Sequence, residues 1–166
     1  MTAARWIPSW IGIGSNLDDP ESQVNSALAA LKLLPDTQLR IASGLYRNPP
    51  MNAMDQPDYV NAIAGLLTRL PARELLDALQ AIERAAGRDR SAEQRWGPRR
   101  LDLDILSYGL QRIDEPGLKI PHPGIAERNF VLLPLVEVAP GLQLPGLASV
   151  TALASRVDSE GVVRIA

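Results

Sequence analysis

The stretch Arg95-Trp96-Gly97-Pro98-Arg99-Arg100-Leu101-Asp102-Leu103-Asp104-Ile105-Leu106 constrains the fold more than any other. Its second half alternates apolar and acidic residues, which is the period of a strand. Side chains two apart on a strand share a face, so Asp102 and Asp104 point the same way, roughly 6–7 Å apart. Leu101 and Leu103 point to the opposite face. Two carboxylates on so apolar a strand repel each other and lose hydration. Such groups shift their pKa or acquire a cation. Paired carboxylates suit Mg²⁺, which takes oxygen ligands and keeps positions for water and phosphate. Just upstream, Arg95, Arg99 and Arg100 bracket a Trp-Gly-Pro turn, and guanidinium forks match phosphate oxygens. Acids for a metal beside arginines for phosphate suggest phosphoryl chemistry. The competing reading is a surface strand whose acids sit in water, paired to neighbouring arginines.

Charge distribution sharpens this. The chain carries a net charge of −2, which argues against general nucleic-acid binding. Between Arg84 and Arg100 lie six arginines and two acids, a local +4, so the remainder carries −6. A small anionic ligand fits such a local basic segment better than a polyanion does. With 166 residues the chain is long enough for one domain with a proper core and too short for two comfortable ones. It has no Cys, so neither disulfides nor thiol chemistry enter. No apolar run reaches membrane-helix length, and Met1 to Trp10 lacks a signal-peptide pattern. A cytoplasmic, monomeric protein comprising one domain, 1–166, with no membrane partner is the expectation.

Trp6 to Gly14 reads as a first strand, ending in a tight Gly12-Ile13-Gly14-Ser15-Asn16 turn. The glycine pair matches neither the dinucleotide fingerprint nor a Walker loop. Asp18 or Asp19 caps a helix with Pro20 at its first position and Val24, Ala27, Leu28 and Leu31 as its inner stripe. That helix stops before Pro35. Gln38 to Arg47 is a second strand. Asn48 to Asp58 is a long, proline-stiffened loop of the kind that carries function. Tyr59 to Thr68 is a third strand, with Tyr59, Asn61 and Ile63 on one face. Asn61 is polar inside an apolar strand, able to satisfy a loop or to hydrogen-bond a planar ligand. Pro71 opens a second helix through Ala86, closed by Gly87, with Leu75, Leu76, Leu79 and Ile82 facing the core. Gln80 and Glu83 share another face of it. The arginine loop (88–98) and a fourth strand (101–108) follow.

The order strand, helix, strand, strand, helix, strand is that of an α+β, ferredoxin-like βαββαβ core, an antiparallel sheet with both helices on one face. The other face is left for a C-terminal extension and a ligand. In that extension, 118–123 is extended, 125–138 leads into an apolar helix, and a short helix (150–157) precedes a terminal strand. His122, the only histidine, sits between prolines, ordinarily a loop position.

Five pieces together resemble a known family. They are Gly14-Ser15-Asn16-Leu17, Tyr46-Arg47-Asn48-Pro49-Pro50, Asp55-Gln56-Pro57-Asp58-Tyr59-Val60-Asn61, Arg95-Trp96-Gly97-Pro98-Arg99 with Leu101-Asp102-Leu103-Asp104, and Pro121-His122-Pro123 with Arg128-Asn129-Phe130. In order and spacing the chain closely resembles the hydroxymethyl-dihydropterin pyrophosphokinases. These folate-pathway enzymes are ferredoxin-like and move diphosphate from ATP to a pterin alcohol, with AMP leaving.

The resemblance implies that Asp102 and Asp104 hold two Mg²⁺ ions, and that Arg88 and Arg99 neutralise the ATP phosphates with Arg90 and Arg95 assisting. Gln80, Glu83, Trp96, Ile105, His122 and Arg128 would contact ATP. Tyr59 and Phe130 would sandwich the pterin, Asn61 would read its polar edge, and Asn48, Pro49 and Met51 would complete its pocket. The loops 48–58 and 88–98 would act as lids against water. Three positions depart from the family pattern. Asn48 stands where threonine is common, an extra residue falls near Ser91 to Gln94, and Pro123 follows His122 where some members have an aromatic. A ferredoxin-like module that binds single-stranded RNA on its sheet is the alternative, motivated by the basic loop and opposed by the missing aromatic RNP motif.

Overall fold

A computed structural model of the protein describes residues 4–51, 55–88 and 99–166. The elements are β1 (Ile7–Ser15), α1 (Pro20–Leu31), β2 (Thr37–Ala42), β3 (Tyr46–Asn48), β4 (Tyr59–Thr68), α2 (Ala72–Ala85), β5 (Asp102–Tyr108), β6 (Ile113–Glu115), β7 (Leu118–Ile120), α3 (Asn129–Val138), α4 (Val150–Ala154) and β8 (Val163–Arg164). The architecture is mixed α/β, with helices against a six-stranded sheet whose described strands pair antiparallel.

The sheet runs β5-β1-β4-β3-β8, and β2 pairs the other end of β4. The expected second strand, 38–47, is thus two strands. β2 pairs Thr37 to Ala42 against Thr68 to Ala64, and β3 pairs Tyr46 to Asn48 against Asn61 to Tyr59. Between them Ser43 turns its hydroxyl to the chain: Ile63 N–H donates to Ser43 Oγ at 2.8 Å. That side-chain bond takes the place of a ladder bond and breaks the strand.

α1 begins where a cap was expected, and the choice falls on Asp19, whose carboxylate accepts from Ser22 N–H at 3.4 Å. Val24, Ala27 and Leu31 of α1 and Leu75 and Leu79 of α2 are buried together against Ile11, Ile13, Val60, Ala62 and Leu103 on one sheet face. A second core lies on the opposite face: Ile63 and Leu106 of the sheet meet Leu132 and Leu135 of α3 and Val150 and Leu153 of α4. Burial at roughly 25 cal/mol per Å² makes these two apolar layers the main stabilising term. The C-terminal extension therefore covers part of the second sheet face, and the uncovered remainder is a pocket. No described helix is long and apolar enough to cross a membrane.

Candidate active site

The pocket floor is built by strand register. β1 pairs β5 with Gly14 opposite Asp102 and Gly12 opposite Asp104. β1 also pairs β4 with Gly14 opposite Asn61 and Gly12 opposite Ile63. Residues directly across a sheet share a face. One row therefore reads Asp102, Gly14, Asn61, and the next reads Asp104, Gly12, Ile63.

The two glycines do not form the turn expected of them. They lie inside β1, and their missing side chains open the floor between the acids and the amide. A Cβ at Gly14 would stand 2.7 Å from Asn61 Oδ1, and one at Gly12 would stand 3.4 Å from Leu106. The cavity measures about 220 Å³ and is walled by Asn48, Met51, Tyr59, Arg99, His122, Arg128 and Phe130 among others.

At the acid end, Asp102 Oδ1 accepts from Arg88 Nη1 at 2.8 Å, with Arg99 Nη1 3.8 Å away. Asp104 lies on the same face, its side chain a third exposed at the bottom of the concavity. Burial, followed by repulsion from Asp102, pushes its carboxyl up to about 8, against the partial relief of Arg128. His122 Nδ1 accepts from Gly124 N–H at 3.1 Å, which leaves the ring proton on Nε2, 3.9 Å from Asp104 Oδ2. Burial, and then the neighbouring Arg128, lower the His122 pKa to about 4, so the imidazole is neutral near pH 7.

Two crowded carboxylates on one face form a donor set that fits Mg²⁺, which needs few protein oxygens when water and phosphate supply the rest. Among the described residues no group of three or more His, Cys, Asp or Glu could hold a metal ion.

At the other end the groups are neutral. Asn48 Nδ2 donates to Pro49 O at 3.0 Å, so its Oδ1 is the acceptor left for Asn61 Nδ2. Pro49 O can only accept, and this polarity is therefore fixed in sequence: carbonyl, Asn48, Asn61. Asn61 Oδ1 is the pole left toward Gly14 and the pocket. β8 pairs β3 at Tyr46 and Arg47, backing the strand that brings Asn48 here. Phe130 enters from the first turn of α3, with the Arg128 guanidinium 5.9 Å from its ring centroid.

The structure thus brings together Asn48, Met51, Tyr59, Asn61, Arg99, Asp102, Asp104, His122, Arg128 and Phe130 from the sequence-predicted set. Gln80, Glu83, Arg88, Ile105 and Pro49 stand off the pocket wall; Glu83 and Arg88 are buried and paired to each other. Arg90, Arg95 and Trp96 lie outside the described residues, as does most of the 88–98 loop and the tip of the 48–58 loop.

Sequence reasoning missed Asn16. It is 1% exposed, and its Nδ2 donates to Gln56 Oε1 and Pro57 O while its Oδ1 accepts from Arg99 N–H at 2.8 Å. One amide thereby ties the ends of both long loops together. The available signal was an Asn directly after Gly-Ser in a motif already singled out. The RNA-binding alternative needs an open sheet face, and here α3 and α4 cover much of it.

A pocket with acids and a guanidinium at one end, and rings and an oriented amide at the other, suits a polyphosphate lying beside a flat heterocycle. Comparison with known proteins agrees. The family model for 7,8-dihydro-6-hydroxymethylpterin-pyrophosphokinase matches residues 10–140. The 2-amino-4-hydroxy-6-hydroxymethyldihydropteridine pyrophosphokinase of Pseudomonas aeruginosa is 46% identical over 156 residues, covering 94% of this chain and 95% of that one. The Haemophilus influenzae protein of the same name is 42% identical over 159 residues, covering 96% and 98%. Among solved structures, a Plasmodium falciparum HPPK-DHPS with pterin and p-hydroxybenzoate shares the fold at a TM-score of 0.77 and 12% identity. The match covers 99% of this chain and 48% of that one, so the chain spans about half the length of that protein. The chain belongs to the 7,8-dihydro-6-hydroxymethylpterin-pyrophosphokinase family.

Proposed function

We propose that this pocket transfers diphosphate from ATP to the hydroxymethyl group of 6-hydroxymethyl-7,8-dihydropterin, giving AMP and the pterin diphosphate, in folate biosynthesis. The chain is an ATP-dependent pyrophosphokinase working as a single ferredoxin-like domain with a C-terminal extension, monomeric and cytoplasmic. The strand order β5-β1-β4-β2/β3 supports the ferredoxin-like core.

The observation that carries the reading is the pair of rows Asp102-Gly14-Asn61 and Asp104-Gly12-Ile63, which set the acids beside a ring-binding pocket with only glycine between. Tyr59 and Phe130 flank the pterin ring. Asn61 Oδ1 accepts from its N–H edge, and Asn48, Pro49 and Met51 close the pocket behind it. Asp102 and Asp104 are the residues that would hold two Mg²⁺ ions. When bound, these ions supply charge neutralisation for the ATP phosphates.

Arg99 binds the phosphate chain from the pocket wall, held there by Asn16. Arg128 and neutral His122 meet the nucleotide. Gln80 and Ile105 act from behind the wall, and Arg90, Arg95 and Trp96 from the arginine loop. Arg88 neutralises the phosphates together with Arg99 and Glu83 contacts the nucleotide, and both also brace Asp102 and its strand. The pterin oxygen attacks the β-phosphorus and AMP departs. Positioning and charge neutralisation do most of the work in such a transfer, and no strong general base is needed.

Mixing the protein with ATP, Mg²⁺ and hydroxymethyl-dihydropterin tests this. AMP formation dependent on the pterin is expected, and ADP as the product overturns it.

A further inference from the structure

The row Asp102-Gly14-Asn61 does not end at β4. β3 sets Tyr46 opposite Asn61, and β8 sets Arg164 opposite Tyr46. Residues directly across a sheet share a face, so Tyr46 stands beside Asn61 on the pocket side. β3 is three residues long and carries Asn48 two positions after Tyr46, on the same face. So short a strand has few ladder bonds to hold it in place.

A side chain from the opposite wall adds an anchor. Glu137, near the end of α3, reaches across to β3. Its Oε1 accepts from Tyr46 O–H at 2.6 Å, and its Oε2 accepts from Gly44 N–H at 3.0 Å. Arg164 Nη1 lies 3.5 Å from the same Oε1. Hydrogen bonds to a carboxylate are about twice as strong as neutral ones. Burial, and then the bond to Glu137, push the Tyr46 hydroxyl up to about 12, so it stays a donor throughout the neutral range. A Cβ at Gly44 would run into Ala166 O and the Arg164 side chain, so only glycine lets these segments pass so closely. Glu137 follows Phe130 by seven residues, two turns along the same stripe of α3. One carboxylate therefore ties the helix that carries Phe130 to the strand that carries Asn48.

We propose that Glu137 and Tyr46 are positioning residues for the pterin: their bond fixes where the Phe130 ring stands relative to the edge-reading pair Asn48 and Asn61. Neither side chain lines the cavity. The proposal rests on the pterin reading of the pocket given above. Losing the tie frees α3 and β3 to drift apart, which spoils stacking and edge recognition together and leaves the acid end untouched.

The test is calorimetric titration of 6-hydroxymethyl-7,8-dihydropterin into wild type, E137A, E137Q, Y46F and the E137A/Y46F double variant. Mg²⁺ and α,β-methylene ATP are present, so that no transfer occurs. The same nucleotide analogue is titrated separately, and the Asn61 side-chain amide resonances are followed by NMR. E137A should bind the pterin about fivefold more weakly, and Y46F about threefold. E137Q offers one acceptor oxygen in place of two and should fall between wild type and E137A. The double variant should be no weaker than E137A, because both changes remove the same tie. Nucleotide affinity should stay within twofold throughout, and the Asn61 amide should shift in E137A. If E137A does not fold, Y46F and E137Q against wild type carry the test.

Pterin affinity unchanged in E137A and Y46F overturns the proposal. Equal losses of pterin and nucleotide affinity overturn it as well, since they mark a general loosening of the fold. So do losses that simply add in the double variant. A wild-type protein that binds no pterin contradicts the reading of the pocket instead, and does so before any variant is made.

Discussion

The two ends of the pocket are held by different physics. The acid end rests on charge: Asp102 sits in a buried network with Arg88 and Glu83, and Asp104 is crowded by its neighbour. The amide end rests on neutral hydrogen bonds running from Pro49 O through Asn48 to Asn61. Charged networks fail steeply when one member is lost, because the partner is left charged and desolvated. A neutral relay loses about 1 kcal/mol per bond. The contrast predicts that a change at Asn48 costs less than a change at Asp102.

The largest break in this contrast comes from D102A or D104A. On the proposed reading either substitution removes an oxygen ligand, D102A also strips a partner from Arg88, and kcat should fall by about a thousandfold or more. A near-normal rate in either variant, measured as AMP formed per second, removes the acid end from the chemistry. R99A comes next, with an expected loss of roughly a hundredfold in kcat/KM for ATP.

On the neutral side the expected effects are smaller and fall on the pterin. G14A puts a methyl group against Asn61 Oδ1 and should weaken pterin binding by about tenfold or more, an overpacking cost of roughly 1–3 kcal/mol. Calorimetric titration of the pterin into the variant reads this directly. N48A frees the Asn61 amide to rotate and should raise the pterin KM about fivefold with kcat little changed. Equal losses from N48A and D104A would erase the distinction between the two ends.

The smallest effect is on stability in chelator. Asp104 has a raised folded pKa, so the native state binds its proton more tightly than the unfolded chain does. That contribution is present at low pH and is lost as pH rises toward about 8. His122 has a lowered folded pKa of about 4, so its effect runs the other way, with stability gained as pH rises toward its unfolded value. The two oppose each other below about pH 6.5, and only Asp104 acts above it. The melting temperature of metal-free protein should therefore decline between pH 6.5 and 8, and D104N should flatten that decline.

Much of this was legible in the sequence because it depends on periodicity. Alternation placed Asp102 with Asp104 and Tyr59 with Asn61, and the order of apolar segments gave the helices and main strands. What was not legible depends on register between distant strands. Nothing local says that Gly12 and Gly14 face Asp104 and Asp102, so the glycines read as a turn. The charges of Glu83 and Arg88 were visible, whereas the edge-strand backbone groups they bond, Leu103 N–H and Leu101 O, were not. Asn16 was hidden for the same reason: its partners, Gln56, Pro57 and Arg99, are distant in sequence.

The central claim is that the acids and the oriented amide serve one site, so that a metal on Asp102 and Asp104 lies close to the pterin alcohol. Paramagnetic broadening tests it most directly. Mn²⁺ should broaden the 6-hydroxymethyl proton resonances of a bound, unreacted pterin in the presence of an inert ATP analogue, and the broadening should vanish in the D102A/D104A double variant. Sharp hydroxymethyl resonances with Mn²⁺ and pterin both bound, or broadening that survives in the double variant, would contradict the account.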